Sequence, residues 1–245
     1  MKASIAKVFL TILFAPFGVF CLAWTGIFVS RGELPSALVS FGFTIFALGF
    51  VAMLAVVATR TVEPRITVDS GGLLLRPDRR VDHLLMASMV GAFMGMLTYA
   101  VCTPFGLIVI VVPRNDERYF VIACALGVVV GIFGLRQIFR RSGTSYLRLT
   151  TDELEVGNTM TSVRLPWAAV TDILDRPQKA TRSTGTTYIA TPDRRFTEWP
   201  SDWYAPNGRA VRELLRFYWK HPGAREELVD GRAVDRFADF YGGRT

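Results

Sequence analysis

The sequence predicts a membrane α-helical bundle of four transmembrane helices and a cytoplasmic β domain that a C-terminal helix closes. Three observations predict this fold class. Apolar residues make up 51% of the 245 residues, and they concentrate in four long runs before about residue 140. After that point short strands alternate apolar and polar residues, and a later segment has the spacing of an amphipathic helix. These features exclude an ordinary soluble globule, a disordered chain and a disulfide-stapled secreted domain.

Four uncharged segments are long enough to cross the bilayer core, which requires about 20 apolar helical residues. They are residues 8–30, 38–59, 84–112 and 119–135. A signal peptide is the alternative for the first segment, but its apolar run exceeds the usual h-region and no A-x-A cleavage site follows it. We therefore predict two transmembrane helix pairs, within residues 1–59 and 84–140.

Lys and Arg residues near the span ends predict the orientation, because cytoplasmic loops carry an excess of them. One side of the predicted bundle holds ten: Lys2, Lys7, Arg60, Arg65, Arg76, Arg79, Arg80, Arg136, Arg140 and Arg141. The other side holds three: Arg31, Arg114 and Arg118. This count predicts a multi-pass protein of the cell inner (plasma) membrane with both termini and the 60–83 loop in the cytoplasm.

Two G-x-x-x-G motifs lie in the last two spans, and small residues at this spacing let helices approach closely. They are Gly91 with Gly95 and Gly127 with Gly131. We favour packing of the third helix on the fourth within one chain, with a homodimer seam as the alternative. The spans contain no Asp, Glu, His, Lys or Arg, which disfavours a small transporter.

The 60–83 loop predicts a cytoplasmic β-hairpin, because apolar β-formers flank a D-S-G-G turn at residues 69–72. A similar strand, turn and strand follow the fourth span, at residues 146–156. Two isolated strands are rarely stable, so the first hairpin is a candidate to pair with the edge of the second sheet. The sequence leaves open whether the two hairpins share one sheet.

Residues 144–240 predict the cytoplasmic domain with its C-terminal helices. Short strands, a Leu-Pro-Trp-x-x-Val-x-x-Ile segment at residues 165–173 and a closing amphipathic helix together resemble a bacterial PH-like domain. The run at residues 218–228 resembles the tails of actinobacterial multi-pass membrane proteins of this type. The resemblance implies a PH-like fold beside membrane spans and carries over no catalytic residue.

No catalytic or metal site is predicted, and we expect neither a cofactor nor enzymatic activity. The histidines are His83 and His221, and all three cysteines fall inside predicted spans. P-loop, dinucleotide-binding, C-x-x-C, H-E-x-x-H and G-x-S-x-G motifs are missing from the sequence. The net charge of +7 is not clustered, which disfavours nucleic acid as a partner.

Basic residues are the candidates for a lipid- or partner-binding surface. Four lie on the predicted closing helix, opposite its apolar face, and we name them the basic stripe: Arg209, Arg212, Arg216 and Lys220. Contact with anionic phospholipid headgroups is one interpretation, and a solvated helix face is the favoured one. Three more precede the third span and are expected at the membrane interface, where Asp78 and Asp82 dilute their charge: Arg76, Arg79 and Arg80.

The function we expect is that of an integral inner-membrane protein whose cytoplasmic PH-like domain binds or scaffolds a partner protein or anionic lipid. Its partners would be the lipid bilayer, anionic headgroups, a membrane protein or a second copy of the chain. One alternative is an accessory subunit of an envelope-lipid transport or biosynthesis complex. A small transporter is the weaker alternative.

Overall fold

The computed structural model has two compact units. The helical unit comprises Lys7–Leu54 and His83–Ser142, and the helix-and-sheet unit comprises Met1–Ala6, Ala55–Asp82 and Gly143–Thr245. The residues that the structure describes are 3–110, 114–141, 143–159, 161–176, 185–192 and 196–242.

Four long helices lie before residue 142: α1 (Ala3–Ser30), α2 (Leu34–Ala58), α3 (Arg79–Cys102) and α4 (Arg114–Arg141). Each is long and apolar enough to cross a membrane. At 1.5 Å per residue, even the shortest exceeds the bilayer core of about 30 Å. The prediction of four such helices is confirmed.

The third helix is shorter than predicted. It ends at Cys102, a 3₁₀ turn covers Thr103–Phe105, and residues 107–110 are non-helical, so the prediction of a span to residue 112 is wrong. Gly106 adopts a left-handed backbone with φ of 67°, which terminates the turn. In the extended stretch that follows, the backbone N–H of Val109 donates to Ser36 Oγ at 2.9 Å.

Helices α2 and α3 approach most closely where three glycines meet. A Cβ atom on Gly42 would lie 2.6 Å from the carbonyl oxygen of Gly91 and 2.7 Å from the amide nitrogen of Gly95. The first G-x-x-x-G motif therefore packs against α2, whereas the sequence predicted that the third helix packs against the fourth.

The second G-x-x-x-G motif, on α4, does contact α3. Gly127 lies against Met96, and a Cβ on Gly131 would lie 2.7 Å from Cδ2 of Phe93. The motif on α3 thus packs against α2, and the motif on α4 packs against α3, both within the chain.

The helix-and-sheet unit contains two antiparallel sheets. Five strands form the first, in chain order: β1 (Arg65–Asp69), β2 (Gly72–Arg76), β3 (Tyr146–Leu149), β4 (Glu153–Gly157) and β5 (Ser162–Pro166). Three form the second: β6 (Asp172–Leu174), β7 (Thr187–Ala190) and β8 (Phe196–Trp199). The hairpin between α2 and α3 thus belongs to the same sheet as the strands that follow α4.

The pairing of β2 with β3 makes this shared sheet. Leu73 pairs with Leu149 and Leu75 with Leu147, and all four side chains are fully buried. Leucines at alternate positions of a strand face the same side, so the two hairpins contribute one continuous apolar surface.

Three helices complete the unit: α5 (Arg209–Lys220), α6 (Glu227–Asp230) and α7 (Arg232–Gly242). Val211, Leu214 and Leu215 of α5 belong to the same core as the leucines of the first sheet. Trp199 and Tyr204 are also fully buried in it, with their ring centroids 4.3 Å apart.

Candidate functional site

The start of α3 turns its carboxylates inward. Asp78 caps the helix: one of its oxygens accepts from the backbone N–H of Arg80 at 2.6 Å and the other from that of Glu63 at 2.9 Å. Asp82 accepts from Arg65 Nη2 at 2.5 Å and from both the N–H and the Oγ1 of Thr144, at 2.8 and 2.7 Å. Both acidic residues are buried within the helix-and-sheet unit.

The arginines between these carboxylates face the other way. Arg79 and Arg80 are exposed, while Arg76 is half-buried. The sequence suggested that Asp78 and Asp82 offset the positive charge of this segment, but both carboxylates point into the unit. The surface presented by the first turn of α3 is therefore basic.

Two of the four residues of the basic stripe, Arg212 and Arg216, are not exposed, which corrects the prediction for these two. Arg212 is buried, and its guanidinium donates to the carbonyl of Asn207 at 2.8 Å and to Ser201 Oγ at 3.3 Å. Burial lowers the pKa of Arg212, because the charged form loses hydration. This side chain holds the end of one loop in place and does not face solvent.

Arg216 is half-buried and also bonded internally. Its Nε and Nη2 donate to the carbonyl oxygen of Ile173 on β6, at 3.0 and 2.9 Å, and Nη1 lies 3.3 Å from Glu213 Oε1. Arg209 and Lys220 are the exposed members of the stripe. The prediction of a solvated face failed because α5 is covered both by the core and by neighbouring loops. The buried part of its surface therefore extends beyond its apolar residues and includes Arg212 and part of Arg216.

Sequence analysis missed a second buried ion pair. Glu227 accepts from Arg236 through both oxygens, at 2.6 and 2.7 Å, and from the hydroxyl of Tyr218 at 3.2 Å. These bonds to Arg236 hold the pKa of Glu227 below its ordinary value, although burial acts in the opposite direction and raises it. The pair joins α6 to α7. Glu227 and Arg236 are nine residues apart, which is not the spacing of a pair within one helix, so the sequence did not suggest it.

The helical unit contains a cavity of about 560 Å³, which no sequence motif indicated. One face of α1 provides much of its wall through Phe17, Phe20, Trp24 and Phe28, and Arg31, directly after the helix, continues this wall. Intervals of three, four and seven residues keep these side chains on one side of a helix. Among the described residues that line the cavity, Arg31 is the charged one.

Within the described ranges, no three His, Cys, Asp or Glu side chains are grouped so that they could hold a metal ion. No protein-family model, curated protein or solved structure matches the chain. The resemblance to bacterial PH-like domains therefore stays a prediction from the residues that carry it.

Proposed function

We propose that the chain is an integral protein of the inner (plasma) membrane and that its helix-and-sheet unit is a cytoplasmic, PH-like binding module. In this proposal the four long helices span the bilayer and both termini lie in the cytoplasm. The ten-to-three distribution of Lys and Arg between the helix ends supports this orientation. The two antiparallel sheets packed with α5 in one core support the comparison with PH-like domains.

The observation that carries the proposal is the charge separation at the start of α3. Asp78 and Asp82 satisfy donors inside the unit, whereas Arg79 and Arg80 are exposed at the first turn of a helix long enough to span a membrane. Anionic lipid in the inner leaflet attracts each nearby basic residue by about 1 kcal/mol. The module would thus contact lipid headgroups beside its own membrane spans, and its remaining surface would be available to a partner protein.

Affinity purification of the full-length protein in mild detergent tests this proposal, with mass spectrometry of the lipids and proteins retained. We expect enrichment of anionic over zwitterionic phospholipid. In the double variant Arg79→Gln, Arg80→Gln the enrichment should fall about thirtyfold, from the loss of about 1 kcal/mol for each of the two residues. The matched control is Arg209→Gln, Lys220→Gln, which removes two exposed charges from α5 and should retain it.

Equal enrichment in both double variants would contradict the headgroup contact. A protein retained in fixed stoichiometry would support the scaffolding role and would identify the complex that the module serves. Membrane placement has its own measurement: the protein should stay with the membrane after an alkaline wash, and a C-terminal reporter should be active on the cytoplasmic side. Release by alkali would refute the placement.

A further inference from the structure

The cavity of the helical unit is long, apolar and open to the surface of the bundle. Phe17 and Phe20 line it and are 40% and 59% exposed, so its wall continues onto the outer face of α1. Ser40 and Phe43 of α2 line it from the other side. Its volume of about 560 Å³ lies within the range of about 300–1,000 Å³ found for pockets that hold small molecules.

The cavity wall is longer than the hydrocarbon half of one leaflet. Phe17 lies on α1 and Arg31 directly follows this helix, so 14 positions separate them, or about 21 Å along a helix axis. Half of the hydrocarbon core is about 15 Å thick. A chain lying along this wall would extend from the level of Arg31 past the middle of the bilayer core.

The charge lies at one end of this wall. Arg31 directly follows the last residue of α1, and its side chain is exposed while still lining the cavity. In the part of the chain that the structure describes, its guanidinium has no ion-pair partner. Glu33 is close in sequence but does not line the cavity. An apolar channel that ends at an arginine complements a molecule with an apolar chain and an anionic head.

We infer that this cavity holds an acyl chain of an anionic phospholipid, with the phosphate of that lipid at Arg31. The inference rests on the membrane placement proposed above, in which Arg31 lies at the outer surface and the lipid belongs to the outer leaflet. Trp24 and Phe28 contact the upper part of the chain, and Phe17 contacts its end. This site is separate from the headgroup contact of Arg79 and Arg80 and draws on the other leaflet.

Trp24 provides the measurement, because the other four tryptophans belong to the helix-and-sheet unit. Full-length protein in non-ionic detergent is titrated with phosphatidylglycerol that carries a brominated acyl chain, and with phosphatidylcholine that carries the same chain. The quenching of Trp24 is obtained by subtracting the loss of fluorescence measured for Trp24→Phe from the loss measured for the wild type. We expect saturable quenching, with phosphatidylglycerol favoured about fivefold, which corresponds to one basic contact of about 1 kcal/mol.

Arg31→Gln should abolish the preference for phosphatidylglycerol and leave the quenching by the chain. Because Arg31 is exposed, this variant should fold as the wild type does. Arg118→Gln is the matched control: it removes an exposed arginine of α4 that does not line the cavity, and should keep the preference. Ser40→Phe fills the cavity and should abolish saturable quenching by both lipids.

Three results would overturn the inference. The first is quenching that rises with lipid content without saturation. The second is an unchanged preference in Arg31→Gln. The third is equally tight binding of brominated stearate, which would assign the cavity to a free fatty acid. Each is distinct from failure of the membrane placement, since the alkaline wash measures placement without reference to the cavity.

Discussion

Asp82 connects three separate segments of the chain, and its removal should destabilise the helix-and-sheet unit. It lies in the first turn of α3, while its partners Arg65 and Thr144 lie on β1 and just before β3. Breaking a buried ion pair by removing one partner costs about 3–5 kcal/mol. The Arg65 side chain is 30% exposed, and water therefore takes over part of its lost bond. We expect Asp82→Ala to lower the free energy of unfolding by about 3 kcal/mol, the low end of that range.

The variant Asp82→Asn distinguishes the contribution of the negative charge to the free energy of unfolding from the contribution of the hydrogen bonds to Thr144. Its amide oxygen still accepts from Thr144, so we expect a loss of about 1.5–2 kcal/mol, the low end of the value of a hydrogen bond to a charged group. The assay is denaturant unfolding of the full-length protein in detergent, followed by the fluorescence of the tryptophans of the helix-and-sheet unit. A double-mutant cycle with Arg65→Met should give a coupling of about 1 kcal/mol or more. A loss below about 1 kcal/mol for Asp82→Ala, or full additivity with Arg65→Met, would refute the reasoning.

Three further predictions concern other parts of the molecule. Gly42→Leu should lower the thermal stability of the helical unit in detergent, because its Cβ would collide with the backbone of α3. Gly26→Leu, with open space around it, is the control and should leave the thermal stability unchanged. Equal effects of the two variants would contradict the close contact of α2 with α3. Arg212→Ala should destabilise the helix-and-sheet unit by about 1–3 kcal/mol, the cost of leaving buried acceptors unpaired, and Arg209→Ala should stay within about 0.5 kcal/mol, both measured by denaturant unfolding. The pKa of Glu227 is lowered in the folded state, so its stabilisation is present above the ordinary pKa of glutamate and is lost as pH falls through the lowered value. The stability of Glu227→Gln should therefore depend less on pH in this acidic range than that of the wild type.

The sequence predicted the parts of the fold that depend on local pattern. The long apolar runs correspond to α1 to α4, and the turn at residues 69–72 lies between β1 and β2. Polar residues with distant partners were harder to place. Arg212 and Arg216 follow the spacing of a solvated helix face, but Arg212 donates back to the segment that precedes α5, and Arg216 donates to Ile173 on β6, 43 residues away in the sequence.

The end of α3 and the cavity escaped prediction for related reasons. Residues 103–112 carry no charge and are apolar from Pro104 onward, so hydropathy extends the span, although Pro104 and Gly106 favour a helix end. The cavity depends on how α1, α2 and the stretch at residues 107–110 pack around shared space. Most of its lining residues are aromatic or aliphatic, as in any core, and their arrangement with Arg31 distinguishes them.

The sharing of one sheet between β2 and β3 imposes an order on biosynthesis. Strand β2 ends at residue 76 and β3 begins at residue 146, so about 70 residues separate a completed strand from the first residue of its partner. At a synthesis rate of about 5–20 residues per second, roughly 4–14 seconds pass between the completion of the β1–β2 hairpin and the synthesis of its partner strand β3. During this interval α3 and α4 are synthesised while Leu73 and Leu75 lack the leucines of β3 that later pair with them. A ribosome stalled before residue 146 would therefore leave a hairpin whose β2 edge is unpaired and whose leucines are uncovered, which is the kind of edge that pairs with other chains and aggregates.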